Sequence, residues 1–415
     1  FWLKGLSATA MYSFDAFNQQ NIGRRKTVDG YAVLGRDSSG ELQFEQTRVG
    51  TNYLDFSKGF DGDRQFYTEA SINYVNSFGK HDVSGMILYN QTDFVNARAS
   101  DFISSIPFRN QGIAGRATYG FDTRYLLEAN FGFNGAENFA PDKRYGFFPS
   151  FGLGWVVSNE KFFADISKVI TFLKVRGSYG KVGNNKISDS YRFGYIAQVG
   201  GGNDGYSFGR NNEVWYNGRD ISEYAVDVSW EEAAKTNIGL ELKTLNNDLS
   251  IVVDYFQEDR TGIFLRRSNV PLYVGLRSNP YGNLGVIHNR GVDGTVEYST
   301  SLGKNWVISA RTNFTWNRAV IIDDANAAWP YPWQQRIGRK LNQRFGLIAL
   351  GLFEDEKDIE NSPYQTGIVK PGDIKFKDLN GDGKIDSYDE APIGYGAVPE
   401  LVYGAGFNIS WKGFA

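Results

Sequence analysis

The sequence predicts an all-β fold, an antiparallel up-and-down β-barrel of the transmembrane kind, and three observations predict it. Apolar and polar residues alternate with period two along most of the chain. Several alternating segments run to ~10–14 residues, against ~5–6 for an ordinary strand. No stretch is apolar enough for a spanning helix: the longest run, 345–353 (FGLIALGLF), is about half of the ~20 residues a helix needs, though long enough for one strand.

The alternation can be followed element by element. Tyr125, Leu127, Ala129, Phe131 and Phe133 interleave with Arg124, Leu126, Glu128, Asn130, Gly132 and Asn134. Leu173, Val175 and Tyr179 interleave with Lys174, Arg176 and Ser178, and Ile238, Leu240 and Leu242 with Asn237, Glu241 and Lys243. Further on, Trp306, Ile308, Ala310, Phe314 and Trp316 alternate with Ser309, Arg311, Asn313 and Thr315, and Phe407, Ile409 and Trp411 with Asn408, Ser410 and Lys412. A soluble sandwich would give the same local pattern. Strand length separates the two, as do charges such as Arg176, Glu241 and Arg311 in mid-strand, which a water-filled lumen accommodates. Short turns (Asn246-Asn247, Gly303-Lys304) alternate with long loops over 91–108, 200–222, 266–284, 319–340 and 354–398, as short periplasmic turns alternate with long extracellular loops. About 14–16 strands are expected, with no domain boundary.

Composition agrees. Aromatics are abundant (31 Phe, 24 Tyr, 9 Trp), as strands and interfacial girdles require. A mean hydropathy of −0.40 suits a barrel in which every second residue faces water. The absence of cysteine excludes a disulfide framework, thiolate metal sites and cysteine nucleophiles. A net charge of −3 with no basic block argues against nucleic acid. The chain opens at Phe1 rather than Met, so a missing N-terminal portion is expected.

Ordered motifs then carry a resemblance. RYLLEANFGFNGAENFAPDKRYGFFPSFGLGWVVSNEKFF (124–163), with Phe148-Pro149-Ser150, Gly154-Trp155 and Glu160-Lys161-Phe162, resembles the barrel of SusC/RagA-type TonB-dependent transporters. LKVRGSYGKVGN (173–184), WEEAAKTNIGLEL (230–242), DYFQEDRTGIFL (254–265), GNLGVIHNRGVDGTVEY (282–298), IGRKLNQRFGLIALGLF (337–353) and PGDIKFKDLNGDGKID (371–386) follow in the same order. The resemblance implies a barrel of roughly 22 strands, of which 1–415 would be a part lacking the N-terminal plug and the final strands. It also implies an outer membrane of a Gram-negative bacterium, TonB-dependent import of nutrient oligomers, foremost oligosaccharides, and a SusD-like surface lipoprotein as lid. TonB would engage the missing N-terminal part. Import of peptides, siderophores or cobalamin would use the same architecture, and a soluble β-rich carbohydrate-binding protein is the rival of a different class.

Three motifs bear on chemistry. Within the expected extracellular loop 354–398, residues 378–389 follow the calcium-loop pattern D-x-[DN]-x-[DN]-G-x₅-E, with Asp in the last place. Asp378, Asn380, Asp382, Lys384 (through its carbonyl), Asp386 and Asp389 are the expected Ca²⁺ ligands. The alternative is a turn whose Asp and Asn side chains bond to its own backbone. Residues 354–390 hold eleven acidic residues and five lysines, a balance of −6 that a cation would relieve. Trp215 and Tyr216, and Trp329 and Trp333 with Asp323, Asp324 and Asn326 nearby, are candidate substrate contacts: rings stack on the C–H faces of sugars while carboxylates and amides meet hydroxyls. Loop packing is the competing role. Gly205-Tyr206-Ser207-Phe208-Gly209 matches the nucleophile-elbow pattern, but no helix follows and the sole downstream histidine, His288, falls in a predicted strand. His81 and His288 are read as ordinary strand residues. No catalytic constellation emerges, and no enzyme is expected.

Overall fold

A computed structural model describes residues 4–99, 102–186, 192–201, 205–303, 305–412 and 414. Twelve long strands pair in chain order: β1 (Leu6–Arg25), β2 (Asp55–Phe78), β3 (His81–Asn96), β4 (Phe108–Phe121), β5 (Tyr125–Ala136), β6 (Tyr145–Val156), β7 (Ile170–Asn184), β8 (Glu231–Thr244), β9 (Leu249–Arg266), β10 (Tyr281–Leu302), β11 (Trp306–Asp323) and β12 (Leu401–Trp411). From β5 to β12 every pairing is antiparallel. The sheet thus holds 12 strands rather than 14–16. Among the described residues the other short strands form six two-stranded pairings outside it. Residues 345–353 account for part of the difference. Instead of one strand they form Phe345–Gly346 and Ala349–Leu352, paired with Ala391–Pro392 and Ile374–Phe376, inside a single connection from 324 to 400. Gly351, at φ +148°, breaks the register there.

The chain forms two compact units, Phe1–Ala8 with Ser71–Tyr89 and Gly112–Ala415, and Thr9–Ala70 with Asn90–Gln111. The second carries the hairpin Gly30–Arg36/Leu42–Arg48, whose turn Asp37 closes by accepting from Ser39 and Glu41 amides. The first carries the candidate sites. At one end of its strands the turns are tight: Gly79 (φ +63°), Asp122-Thr123 and Leu245-Asn246-Asn247 all adopt the left-handed conformation. The exception at that end is 157–169, which makes three short 3-10 turns.

The register sorts the two faces. Leu127–Leu153, Trp155–Val175, Ile238–Tyr255, Val292–Trp316 and Phe314–Tyr403 are directly opposed pairs on one face. That face is bare: Leu153 is 63% exposed, and Phe151, Ile238 and Phe407 are exposed with it. The buried hydrophobic cluster of this unit, Ala136, Phe139 and Val228 with Trp230 and Phe264 against it, sits instead at the long-loop ends of the strands. A soluble protein rarely leaves an apolar area of this extent uncovered. A sandwich, whose core is made by stacking such faces, is thereby ruled out.

Candidate functional site

The opposite face is a polar wall. On β7, Lys174 Nζ and Arg176 Nε reach Glu241 Oε1 on β8 at 3.1 and 3.0 Å. Arg176 Nη1 donates to Asn237 Oδ1 (3.3 Å), while Nη2 crosses β8 to Asp254 Oδ2 on β9 (2.7 Å). The crossing depends on Gly239: a Cβ there would lie 2.5 Å from Asp254 Oδ1 and 2.7 Å from Arg176 Cζ. Arg311 and Glu297 pair at 3.1 Å farther along. The charges expected in mid-strand therefore balance one another across strands. Spacing alone showed their face but not their partners, because partners depend on register.

The long loops hold the predicted substrate residues. Trp215 and Tyr216 lie in a hairpin, Tyr206–Phe208 against Val214–Tyr216, and as neighbours in a strand they point to opposite faces. Tyr216 shares its face with Tyr206 and Phe208, whose rings meet edge to face at 5.2 and 5.6 Å. All three are exposed. Trp215 lies opposite Ser207 and donates to Asn217 Oδ1 (2.7 Å). The alternation of Tyr206 and Phe208 within the Gly-Tyr-Ser-Phe-Gly run was the legible signal for this ring cluster. Ser207 sits in a hairpin strand with no helix after it, so the nucleophile-elbow pattern is coincidental. His81 Nδ1 meets Tyr119 Oη at 2.7 Å and His288 Nδ1 meets Asp259 Oδ1 at 2.5 Å, both across the sheet.

Trp329 and Trp333 are half-buried, and each has its own occupation. Arg336 lies over the Trp329 ring at 5.4 Å. Trp333 stacks on Tyr331 (4.7 Å, 7° between planes) and donates to the Tyr388 carbonyl at 2.8 Å. Gln334 Nε2 donates to the Ser387 carbonyl at 2.9 Å, and Tyr331 meets the Tyr388 ring edge to face. The two motifs that sequence placed in separate loops are thus joined. Asp323 and Asp324 cap their own turn, accepting from Ala325 and Asn326 amides, and Ser268 Oγ donates to Asn326 Oδ1 (2.6 Å).

In the 378–389 loop the side chains serve the backbone. Asp378 accepts from Gly381 (2.6 Å) and Gly383 (2.9 Å), Asn380 from Asp382, Asp382 from Lys384, and Asp386 from Tyr388. Gly383, at φ +81°, supplies the turn. Asp389, 0% exposed, is the hub: Oδ1 accepts from Leu379 (2.7 Å) and Oδ2 from Asp386 (3.0 Å). Among the described residues no three acidic or histidine side chains form a group that could hold a metal ion, and the calcium-loop pattern counts Asn380 and the Lys384 carbonyl beside its carboxylates.

The loop's base is an ion cluster. Glu400 takes Arg318 in a two-point pair (2.8 and 3.0 Å) and Lys340 at 3.0 Å. The Arg318 hydrogen bonds, outweighing partial burial and aided by Lys340, bring its carboxyl down to about 2. Backbone bonds from Ile321 to Arg339 and from Leu341 to Ala319 fasten the same return.

A bare apolar face, a charged inner wall and long outer loops over tight turns define a transmembrane β-barrel of the outer-membrane class. Residues 1–390 match the family model described as "TonB dependent receptor-like, beta-barrel". The chain belongs to that family, and is of its SusC/RagA type. It is 24% identical over 438 residues to TonB-dependent receptor P3 of Formosa agariphila, covering 100% of this chain and 42% of that protein. It is 25% identical over 371 residues to TonB-dependent receptor SusC of Bacteroides thetaiotaomicron, covering 82% of this chain and 36% of that one. The chain therefore spans about two fifths of the relatives it matches. The solved RagAB peptide transporter shares the fold, with a TM-score of 0.70 at 19% identity over 99% of this chain and 45% of that one.

Proposed function

We propose that this barrel takes part in TonB-dependent import of nutrient oligomers, foremost oligosaccharides, beneath a SusD-like lipoprotein lid. TonB would act through a part of the protein outside these residues. The observation that carries the proposal is the exposed cluster of Tyr206, Phe208 and Tyr216 on a long-loop hairpin. Rings held edge to face leave faces free to stack on the C–H surfaces of sugars. The exposed rings support the glycan, and the fold shared with a structure titled as a peptide importer supports peptide as the second substrate class. Siderophore or cobalamin import is supported by architecture alone.

Binding of the full-length protein to glycan and peptide panels tests this. A glycan should bind, and alanine at Tyr206, Phe208 and Tyr216 should weaken it by about tenfold, ~1.4 kcal/mol, with the barrel still folded. Selective binding of peptide overturns the glycan assignment, and unchanged affinity in the variant overturns the role of the rings.

For 378–389, the amide-bonded turn is favoured over Ca²⁺ because Asp389 is already satisfied by amides. Chelation that exposes 354–398 to protease would reverse that preference.

A further inference from the structure

Among the described residues, the long connection at the tight-turn end has an unusual surface. Residues 157–169 are bolted at both ends. Glu160 Oε1 accepts from Tyr125 Oη (2.6 Å) and Trp155 Nε1 (3.2 Å), and Oε2 from Arg124 Nη1 (3.2 Å). Asn159 Nδ2 donates to the Thr123 carbonyl at 3.0 Å, and Thr244 Oγ1 to the Val169 carbonyl at 2.5 Å. Phe163 (3% exposed) and Val157 are buried beneath. With the backbone fixed in this way, Phe162 (63% exposed), Ile166 and Val169 (66%) still project freely. Their exposure accompanies a segment fastened at both of its ends.

Phe162 continues the bare apolar face. Phe162 meets Trp155 edge to face at 6.4 Å, and Trp155 ends the row that runs through Leu153 and Phe151. Lys161, Asp165 and Lys168 are interspersed and exposed. Apolar residues flanked by lysines at the rim of a lipid-facing surface have the composition of an interfacial segment, with lysines long enough to reach headgroups.

We propose that 157–169 is a lipid anchor at the membrane interface of the tight-turn side. Phe162, Ile166 and Val169 enter the acyl boundary, and Lys161 and Lys168 receive phospholipid phosphates. The anchor holds the β4–β5 turn and the near end of β8 at a fixed depth. It rests on the family's place in the membrane and is independent of what is imported.

Spin labels on single cysteines test it in the full-length protein, reconstituted in vesicles containing phosphatidylglycerol and otherwise cysteine-free; this chain contributes none. Phe162→Cys and Val169→Cys are compared with Leu153→Cys on the bare face and Tyr273→Cys on an exposed loop. Labels at 162 and 169 should collide with oxygen more than with a water-soluble nickel chelate, as at 153 but at shallower depth. A ratio equal to that at 273 overturns the anchor, and so does protection from both reagents, which would mean a protein partner. Replacing Lys161 and Lys168 together by Glu should shift the 162 label toward water, and an unmoved label removes the phosphate contact.

Discussion

The two faces of the sheet are built by the same strands, residue by alternate residue, yet they are held in place by different physics. On the bare face, Leu127 is opposed by Leu153, Ile238 by Tyr255 and Phe314 by Gly294, and Leu127, Leu153 and Ile238 stand exposed. On the inner wall, Arg176 is tied to Glu241, Asn237 and Asp254 across three strands. One face is stable only if its solvent is lipid, the other only if its charges stay paired or wet. A period of two is thus enough to specify two solvents on one backbone.

The sharpest way to break this is to move a charge from one face to the other. Leu153→Arg should destabilise the membrane-embedded barrel by ~2–4 kcal/mol, read as a lower midpoint in denaturant titrations of the reconstituted protein. Ser178→Arg, on the wall face of the next strand, should cost little. Equal effects would abolish the distinction. A smaller effect is expected on the wall itself. Arg176→Met leaves Asp254, 7% exposed, without its cation. About 1–3 kcal/mol should be lost, with part restored by adding Asp254→Asn.

Much of this architecture was legible in the chain. The alternation around Leu127, Val175, Ile238 and Trp316 named the lipid-facing residues in advance, because a two-residue period survives without knowledge of partners. The strand count and the outer loops were less legible. Residues 345–353 read as a strand because nine apolar residues look alike whether they cross a bilayer or pair within a loop. Gly351 and its partners at 374–376 decided otherwise. Trp333 read as a candidate substrate contact or a loop-packing ring, and its bond to the Tyr388 carbonyl and its stacking on Tyr331 could not be read from sequence. Such tertiary pairings, between residues far apart in sequence, leave no local periodicity. Tyr206 and Phe208 were visible only as part of an apparent serine-nucleophile motif, and their shared face emerged from the hairpin register.

The loop base gives a subtler test. Glu400 titrates near 2 in the folded protein, below the unfolded glutamate value of ~4.3. A depressed carboxylate stabilises fully above the unfolded value and loses that contribution as the pH falls through the interval toward about 2. Hydrogen exchange at 338–341 and 400–402 should therefore be unchanged from pH 7 to pH 5 once intrinsic rates are divided out, and rise below pH 4. In Glu400→Gln the region should be looser at every pH and lose that dependence. Smallest of all should be the response to calcium chelation, since amides already hold Asp378 and Asp389. Proteolysis of 354–398 should be nearly the same with and without chelator.

The division of solvents is measured most directly along β8. Fluorescent labels on single cysteines at 235–242 would be exposed to lipids carrying quenchers on their acyl chains. Quenching should be strong at 236, 238, 240 and 242 and weak at 235, 237, 239 and 241. Uniform quenching along the strand, or the opposite alternation, would contradict the assignment of the apolar face to lipid.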